Sequence, residues 1–107
     1  MNGETQGRVI GFLGLCKRAG RVTSGQEACV DLIRGGGAAL ALMDAGASEN
    51  TRKRMLDACR AHGVPLWTVE AGALGHAIGQ RGRMVAALQP GGMAEKLLSI
   101  LPDEERL

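Results

Sequence analysis

The sequence has 107 residues, a length that fits a single domain, 1–107, with one ordinary hydrophobic core. Hydrophobic residues make up 45% of the chain but aromatic residues only 2%, which leaves almost no aromatic surface on which bases stack. The formal net charge of +2 does not by itself identify a polyanionic partner, so the positions of the basic residues matter more than their number.

The cysteines and the apolar runs indicate the cellular compartment of the protein. Cys16, Cys29 and Cys59 are odd in number and show no C-x-x-C spacing, so neither a disulfide framework nor a zinc site follows. Each lies in an apolar helical stripe, and we expect buried, reduced thiols. The first residues have no apolar signal segment, and no run approaches the length of a membrane span. We therefore expect a cytoplasmic protein with no membrane partner, no metal and no other cofactor.

The first predicted element is a helix over residues 7–19. Apolar residues recur there at helical spacing, and Lys17 and Arg18 occupy the last turn, where cations interact favourably with the negative helix end. Gly11 and Gly14 each cost up to about 1 kcal/mol relative to Ala within a helix. Their presence predicts that another element packs very close to this helix.

A short extended piece, "RVT", precedes the second predicted helix. Ser24 followed by Glu27 matches the S-x-x-E capping box, which predicts that this helix begins at Ser24 and that the Ser24 side chain caps it. The helix is expected to end at the three glycines of residues 35–37.

The rest of the chain alternates apolar strands with helices. The segments "AALALM", "LWTV" and "MVAAL" have the length and continuous apolar character of buried strands. A helix capped by Ser48 and ended by Gly63, a short helix in "AGALGHAIG" and a last helix in "GGMAEKLLSIL" are also predicted. Strands buried on both faces need helices on both sides, so we predict an α/β fold, a three-layer α/β/α sandwich.

The sequence lacks the motifs of nucleotide-binding and catalytic sites. Its triple glycine follows a helix and leads into a strand, the reverse of the order in a phosphate-binding loop. His62 and His76 have no partner ligand or nucleophile near them in sequence, and Asp44, at a strand end, is interpreted as a structural cap. The charged residues of the third helix are interpreted as a solvated face: Arg52, Lys53, Arg54, Asp57 and Arg60. We therefore expect a protein that is not an enzyme.

Two groups of basic residues lie beside glycines. Lys17, Arg18 and Arg21 come together with no acid between them, and Arg81 and Arg83 form the second group. Basic clusters of this kind suit contact with phosphates. A solvated surface that is incidentally basic is the alternative interpretation.

The start of the second helix is the strongest candidate for a binding site. Its free N–H groups, its positive dipole end and the polar side chains of Thr23, Ser24 and Gln26 suit an anion or the acceptor edge of a base. Glu27 accepts from a base amino group only if its capping role leaves an oxygen free. Simple helix capping explains these residues equally well.

Three segments, "KRAGRVTSG", "DAGASENT" and "LGHAIG", occur in register with one another. With them, residues 10–98 resemble the kink-turn RNA-binding ribosomal proteins of the L-seven-Ae and L-thirty-e type, most of all their bacterial YlxQ-like branch. The resemblance implies an α/β/α sandwich around a mixed sheet of four strands. It also implies an RNA-binding surface made by the start of the second helix and by the loop after the "LGHAIG" segment.

The family motif at the start of the second helix is Gly-x-Asn-Glu, which contacts the sheared G·A pairs of a kinked RNA. Gly25 matches its glycine. An ungapped count places Glu27 where the family has Asn or Lys, whereas a one-residue shift aligns Gln26 and Glu27 with Asn-Glu. The second segment matches at its fixed positions, Leu74, Gly75, Ala77 and Gly79. The loop after it, residues 80–83, is short and basic where the family usually has apolar residues.

We therefore predict a non-catalytic RNA-binding protein, expected to be a monomer, that recognises structured RNA. A kink-turn-like RNA and a role on the ribosome or in translation are finer hypotheses. The predicted RNA-binding residues are Lys17, Arg18, Arg21, Thr23, Ser24, Gly25, Gln26, Glu27, Gln80, Arg81, Gly82 and Arg83. Residues 25–27 and 80–83 are expected to form one continuous surface. The alternative is a protein-interaction domain that kept the fold but lost RNA binding.

Overall fold

A computed structural model describes the whole chain, residues 1–107. Helices and strands alternate, as predicted. In chain order the elements are α1 (Gly3–Arg18), β1 (Val22–Ser24), α2 (Gln26–Arg34), β2 (Leu40–Asp44), α3 (Glu49–His62), β3 (Leu66–Val69), α4 (Ala73–Ile78), β4 (Val85–Leu88), α5 (Gly92–Ile100) and a 3-10 turn (Asp103–Glu105). None of the helices combines the length and the apolar character that crossing a membrane requires.

The four strands form one mixed sheet in the order β1-β4-β2-β3. Strands β2 and β3 run parallel, whereas β4 runs antiparallel to its neighbours β1 and β2. Strands β1, β2 and β3 consequently end where β4 begins. We call this the upper end of the sheet and the opposite one the lower end. Because β1 lies at an edge, its outer side is not paired with another strand.

The sheet is buried on both faces. Along β2, Leu40 and Leu42 pack with the apolar residues of α1, α4 and α5, whereas Ala41 and Met43 pack with those of α2 and α3. All four side chains are fully buried. This alternation confirms the predicted three-layer α/β/α sandwich, because each face of the sheet carries its own layer of helices.

Helix α1 begins at Gly3, four residues earlier than predicted, because Asn2 caps it by accepting the Thr5 N–H at 2.8 Å. The prediction of a close neighbour is confirmed for Gly14, where a Cβ would lie 3.2 Å from the Ala77 carbonyl oxygen of α4. It is wrong for Gly11, which has no such atom within 4 Å. Only one of the two glycines therefore serves helix packing.

The prediction that Ser24 caps α2 is wrong. Ser24 is the last residue of β1, and the N-cap of α2 is Gly25, which offers no side-chain cap. Its positive φ of 93° turns the chain from strand to helix within one residue, a conformation that favours glycine. The Ser24 side chain is thereby free for a different partner. At its other end α2 stops at Gly35, as predicted.

The predicted caps of α3 are present, and Asp44 caps loops at the upper end of the sheet. Ser48 accepts the Thr51 N–H at the start of α3, and Gly63 ends that helix in the left-handed conformation. The Asp44 carboxylate is buried and accepts backbone N–H groups from Gly46 at 2.8 Å and Gly72 at 2.9 Å. Asp44 therefore joins the loop after β2 to the loop before α4, which is a structural role.

The three cysteines are buried and free, as predicted. Burial raises the pKa of the Cys29 thiol to about 12 and that of the Cys59 thiol to about 11, and it also raises the pKa of Cys16. The thiols therefore remain protonated at neutral pH, which makes them poor nucleophiles and metal ligands.

Candidate nucleic-acid interface

The start of α2 is open at the upper end of the sheet. Gly25 gives α2 no side-chain cap, so the first-turn N–H groups have no side-chain partner. The positive end of the helix dipole adds to their preference for an anion. Gln26 is half-buried and Glu27 is exposed, so both side chains remain within reach of a ligand at this helix start.

Residues 80–83 form a tight turn between α4 and β4, and Gly75 of α4 allows it to pack closely. A Cβ on Gly75 would lie 2.8 Å from the Gln80 carbonyl oxygen and 3.2 Å from the Gly82 backbone nitrogen. The Gln80 N–H donates to the Gly75 carbonyl at 2.9 Å, and the Arg83 N–H donates to the Gln80 carbonyl at 3.2 Å. Gly75, the first glycine of the "LGHAIG" segment, is therefore needed so that the backbone of the turn can lie close to α4.

The turn of residues 80–83 lies against the start of α2. The Ser24 hydroxyl donates to the Gln80 Oε1 atom at 2.9 Å. The Arg83 guanidinium lies over Gly25, where a Cβ would come within 2.6 Å of Arg83 Nη1. Residues 24–27 and 80–83 thus form one continuous surface at the upper end of the sheet, as expected from the sequence. We call it the upper surface.

The upper surface carries two exposed cations without an acid partner. Arg81 and Arg83 are exposed, and neither belongs to any ion pair of the protein. They border a cleft of about 460 Å³ whose other lining residues are mostly glycines, together with His76. The glycines leave backbone groups accessible, so the cleft suits a polar, anionic ligand better than an apolar one.

The other predicted cations lie elsewhere. Arg21 precedes β1, so it lies at the lower end of the sheet, beside the loop of residues 89–92. Lys17 and Arg18 end α1 and join Arg21 through a tight turn, in which the Arg21 N–H donates to the Cys16 carbonyl. Thr23 lies between the two ends, within β1. Lys17, Arg18 and Arg21 are therefore not part of the upper surface.

Known proteins are similar to this one in sequence and in fold. No protein-family model matches the sequence. An RNA-binding protein from Bacillus subtilis, YlxQ, is 42% identical over 91 residues, which cover 84% of this chain and 91% of that protein. The chain belongs to the YlxQ-like family. This confirms the resemblance to the bacterial YlxQ-like branch.

Solved structures also match the fold of this YlxQ-like protein. A protein of unknown function from Bacillus halodurans C superposes with a TM-score of 0.81 at 30% identity, covering 87% of this chain and 95% of that one. A 15.5kD RNA binding protein from Giardia lamblia superposes with a TM-score of 0.74 at 19% identity, covering 94% of this chain and 93% of that one. At that low identity the second match establishes the fold alone.

Sequence reasoning missed two residues of α3 that hold the upper surface. The Thr51 hydroxyl donates to Gln26 Oε1 at 2.7 Å. Arg54 faces the Glu27 carboxylate with both terminal nitrogens, each 3.2 Å from an oxygen. Thr51 belongs to the "DAGASENT" segment that carries the family resemblance, which was the available signal. Arg54 was interpreted as part of a solvated face, and this is wrong, because it pairs with Glu27.

The contacts from α3 orient the polar groups at the start of α2. With its oxygen held by Thr51, the Gln26 amide presents its NH₂ group away from α3. The paired carboxylate of Glu27 is partly neutralised, which reduces its repulsion of a phosphate. No cluster of three metal-ligating side chains occurs here or elsewhere in the protein. The site therefore offers hydrogen-bond donors and cations.

Proposed function

We propose that this protein binds structured RNA through the upper surface and carries out no catalysis. The observation that supports this most directly is the juxtaposition of the Arg83 guanidinium with the uncapped start of α2 at Gly25. A cation and a helix N-terminus at one point favour a phosphate, and the Gln26 amide beside them favours a base edge. The RNA-binding name of the Bacillus subtilis relative supports the same conclusion.

The contacts of the upper surface divide into two kinds. Arg81 and Arg83 offer planar donor forks that fit phosphate oxygens, which occur at every nucleotide and carry no sequence information. Gln26 is neutral and offers directed donors, which distinguish one base edge from another. The two arginines therefore supply affinity and Gln26 supplies selectivity.

The RNA is structured and resembles a kink-turn, because the upper surface combines the two segments that the family uses for such RNA. The departures at Gln26 and in the basic turn of residues 80–83 favour an RNA whose contacted bases differ from the standard ones. We propose that the protein is a cytoplasmic monomer that binds ribosomal or translation-associated RNA.

Two variants test this division by RNA-binding titration at several salt concentrations. Arg81→Ala with Arg83→Ala should weaken binding to every structured RNA alike and flatten the log–log salt slope by up to about 2. Gln26→Ala should reduce the preference among RNAs by about 1–3 kcal/mol and leave the slope unchanged. Arg34→Ala with Arg60→Ala is the matched control, since both arginines are exposed and belong to no ion pair.

A parent protein that binds no structured RNA at low salt contradicts the proposed function and favours a protein-interaction domain instead. Equal effects of the control pair and the Arg81 and Arg83 pair also contradict it. In that case the whole basic surface, rather than the upper surface, attracts the RNA.

A further inference from the structure

A second basic surface lies at the lower end of the sheet. Lys17, Arg18 and Arg21 belong to none of the ion pairs of the protein, and residues 5–26 contain no acid at all. The loop of residues 89–92 that lines a small cleft with Arg21 is also free of charge. None of these three cations therefore lies within ion-pair distance of a carboxylate.

The two basic surfaces are connected by the open edge of the sheet. Strand β1 leads from Arg21 at the lower end to Gly25 at the upper end, a rise of about 13 Å for four extended residues. No other strand pairs with the outer side of β1. A polyanion seated on the upper surface therefore reaches the lower cations along an edge that no strand covers, within the length of a few nucleotides.

We propose that the RNA held by the upper surface continues along the edge of β1, and that Lys17, Arg18 and Arg21 bind the phosphates of its flanking helix. This inference rests on the proposed function, because it takes the RNA at the upper surface as given. RNA fits the cluster better than an acidic protein does, since a bound RNA already brings regularly spaced phosphates to within this distance. The arginine forks match phosphate oxygens in pairs.

Binding of a short and an extended version of one RNA distinguishes the contact at the lower end of the sheet from the contact at the upper surface. The probe is a hairpin with tandem sheared G·A pairs, prepared with stems of about three base pairs and with both stems extended by about ten. Arg18→Ala with Arg21→Ala should weaken binding of the extended RNA about 5- to 30-fold and flatten its salt slope by about 1–2. The short RNA should bind the same variant within about twofold of the parent.

The Arg34→Ala with Arg60→Ala pair removes the same charge from α2 and α3, on the other face of the sheet, and should leave both RNAs unaffected. Arg18 and Arg21 are both exposed and form no ion pair, so the thermal unfolding of the Arg18→Ala with Arg21→Ala variant should match that of the parent. Unchanged affinity for the extended RNA overturns the inference and leaves an acidic protein as the partner of the cluster. Equal weakening of both RNAs overturns it as well. Absence of binding by the parent instead contradicts the proposed function, and the inference falls with it.

Discussion

Ser24 makes a tertiary contact instead of the helix cap that the sequence predicts. Its position three residues before Glu27 is typical of a capping box, yet its hydroxyl donates to Gln80, 56 residues further along the chain. The positive φ of Gly25 inserts one residue between strand and helix, so Ser24 remains part of the sheet. As a consequence, Ser24 fixes the turn of residues 80–83 rather than α2.

A double-mutant cycle between Ser24→Ala and Gln80→Ala tests this assignment. We expect a coupling free energy of about 0.5–1.5 kcal/mol in urea unfolding, the usual contribution of one hydrogen bond. Ser24→Ala with Glu27→Ala should be additive, as should Ser48→Ala with Gln80→Ala. Coupling of Ser24 to Glu27 instead would restore the capping box.

The buried thiols predict how stability depends on pH. The folded pKa values of Cys29 and Cys59, about 12 and about 11, lie above the ordinary value of 9.0 because burial disfavours the thiolate. This stabilisation is complete below pH 9 and is lost as the pH rises from about 9 to about 11–12, since the unfolded chain releases its thiol protons first.

Unfolding free energies at pH 8 and pH 10 measure the effect. Each thiol should lower the stability by up to about 1.4 kcal/mol per pH unit in this window. The chain has no tyrosine and few lysines, so few other groups titrate there. Cys29→Ala should make the slope shallower, and an unchanged slope in this variant would be inconsistent with a buried protonated thiol.

At the scale of elements, α1 carries two glycines with opposite consequences. Gly11→Ala should stabilise the protein by about 0.5–1 kcal/mol, since alanine favours the helix and no neighbour obstructs the new methyl group. Gly14→Ala should be less stable than Gly11→Ala by about 1 kcal/mol or more, because its Cβ would press on the backbone oxygen of Ala77. Thermal unfolding of the two variants provides the comparison, and equal stabilities would contradict the close contact between α1 and α4.

The elements themselves follow from the sequence because their signals are local. Apolar runs predicted β2, β3 and β4, and helical spacing with caps predicted α3 and its N-cap, Ser48. Strand β1 has only three residues and appeared as an extended piece alone. The start of α2 was misplaced because the capping pattern and a positive-φ glycine compete at adjacent positions, and only the backbone geometry decides between them.

The candidate site was predictable only in part. The resemblance to the family paired residues 25–27 with residues 80–83, and these segments do lie together. The roles of Thr51 and Arg54 were not predicted, because their partners on α2 are more than 20 residues away in sequence. The grouping of Lys17, Arg18 and Arg21 with that site was wrong, because three residues of strand place them at the other end of the sheet.

At the scale of the molecule, the chain is nearly isotropic, with extents of 30 × 28 × 27 Å. The sheet carries a basic surface at either end, and the small net charge of +2 conceals this because the 11 acidic residues are spread along the chain, three of them in the last turn, Asp103–Glu105. The positions of the charges, rather than the total charge, therefore support the proposed RNA binding.

Amide chemical shifts recorded during titration with a short-stemmed structured RNA test the central claim most directly. We predict that the largest changes fall on residues 24–27 and 80–83, that Thr51 follows through its bond to Gln26, and that the second half of α3 and all of α5 remain unchanged. Changes confined to the outer faces of α2 and α3 or to α5, or no change at low salt, would contradict RNA binding at the upper surface.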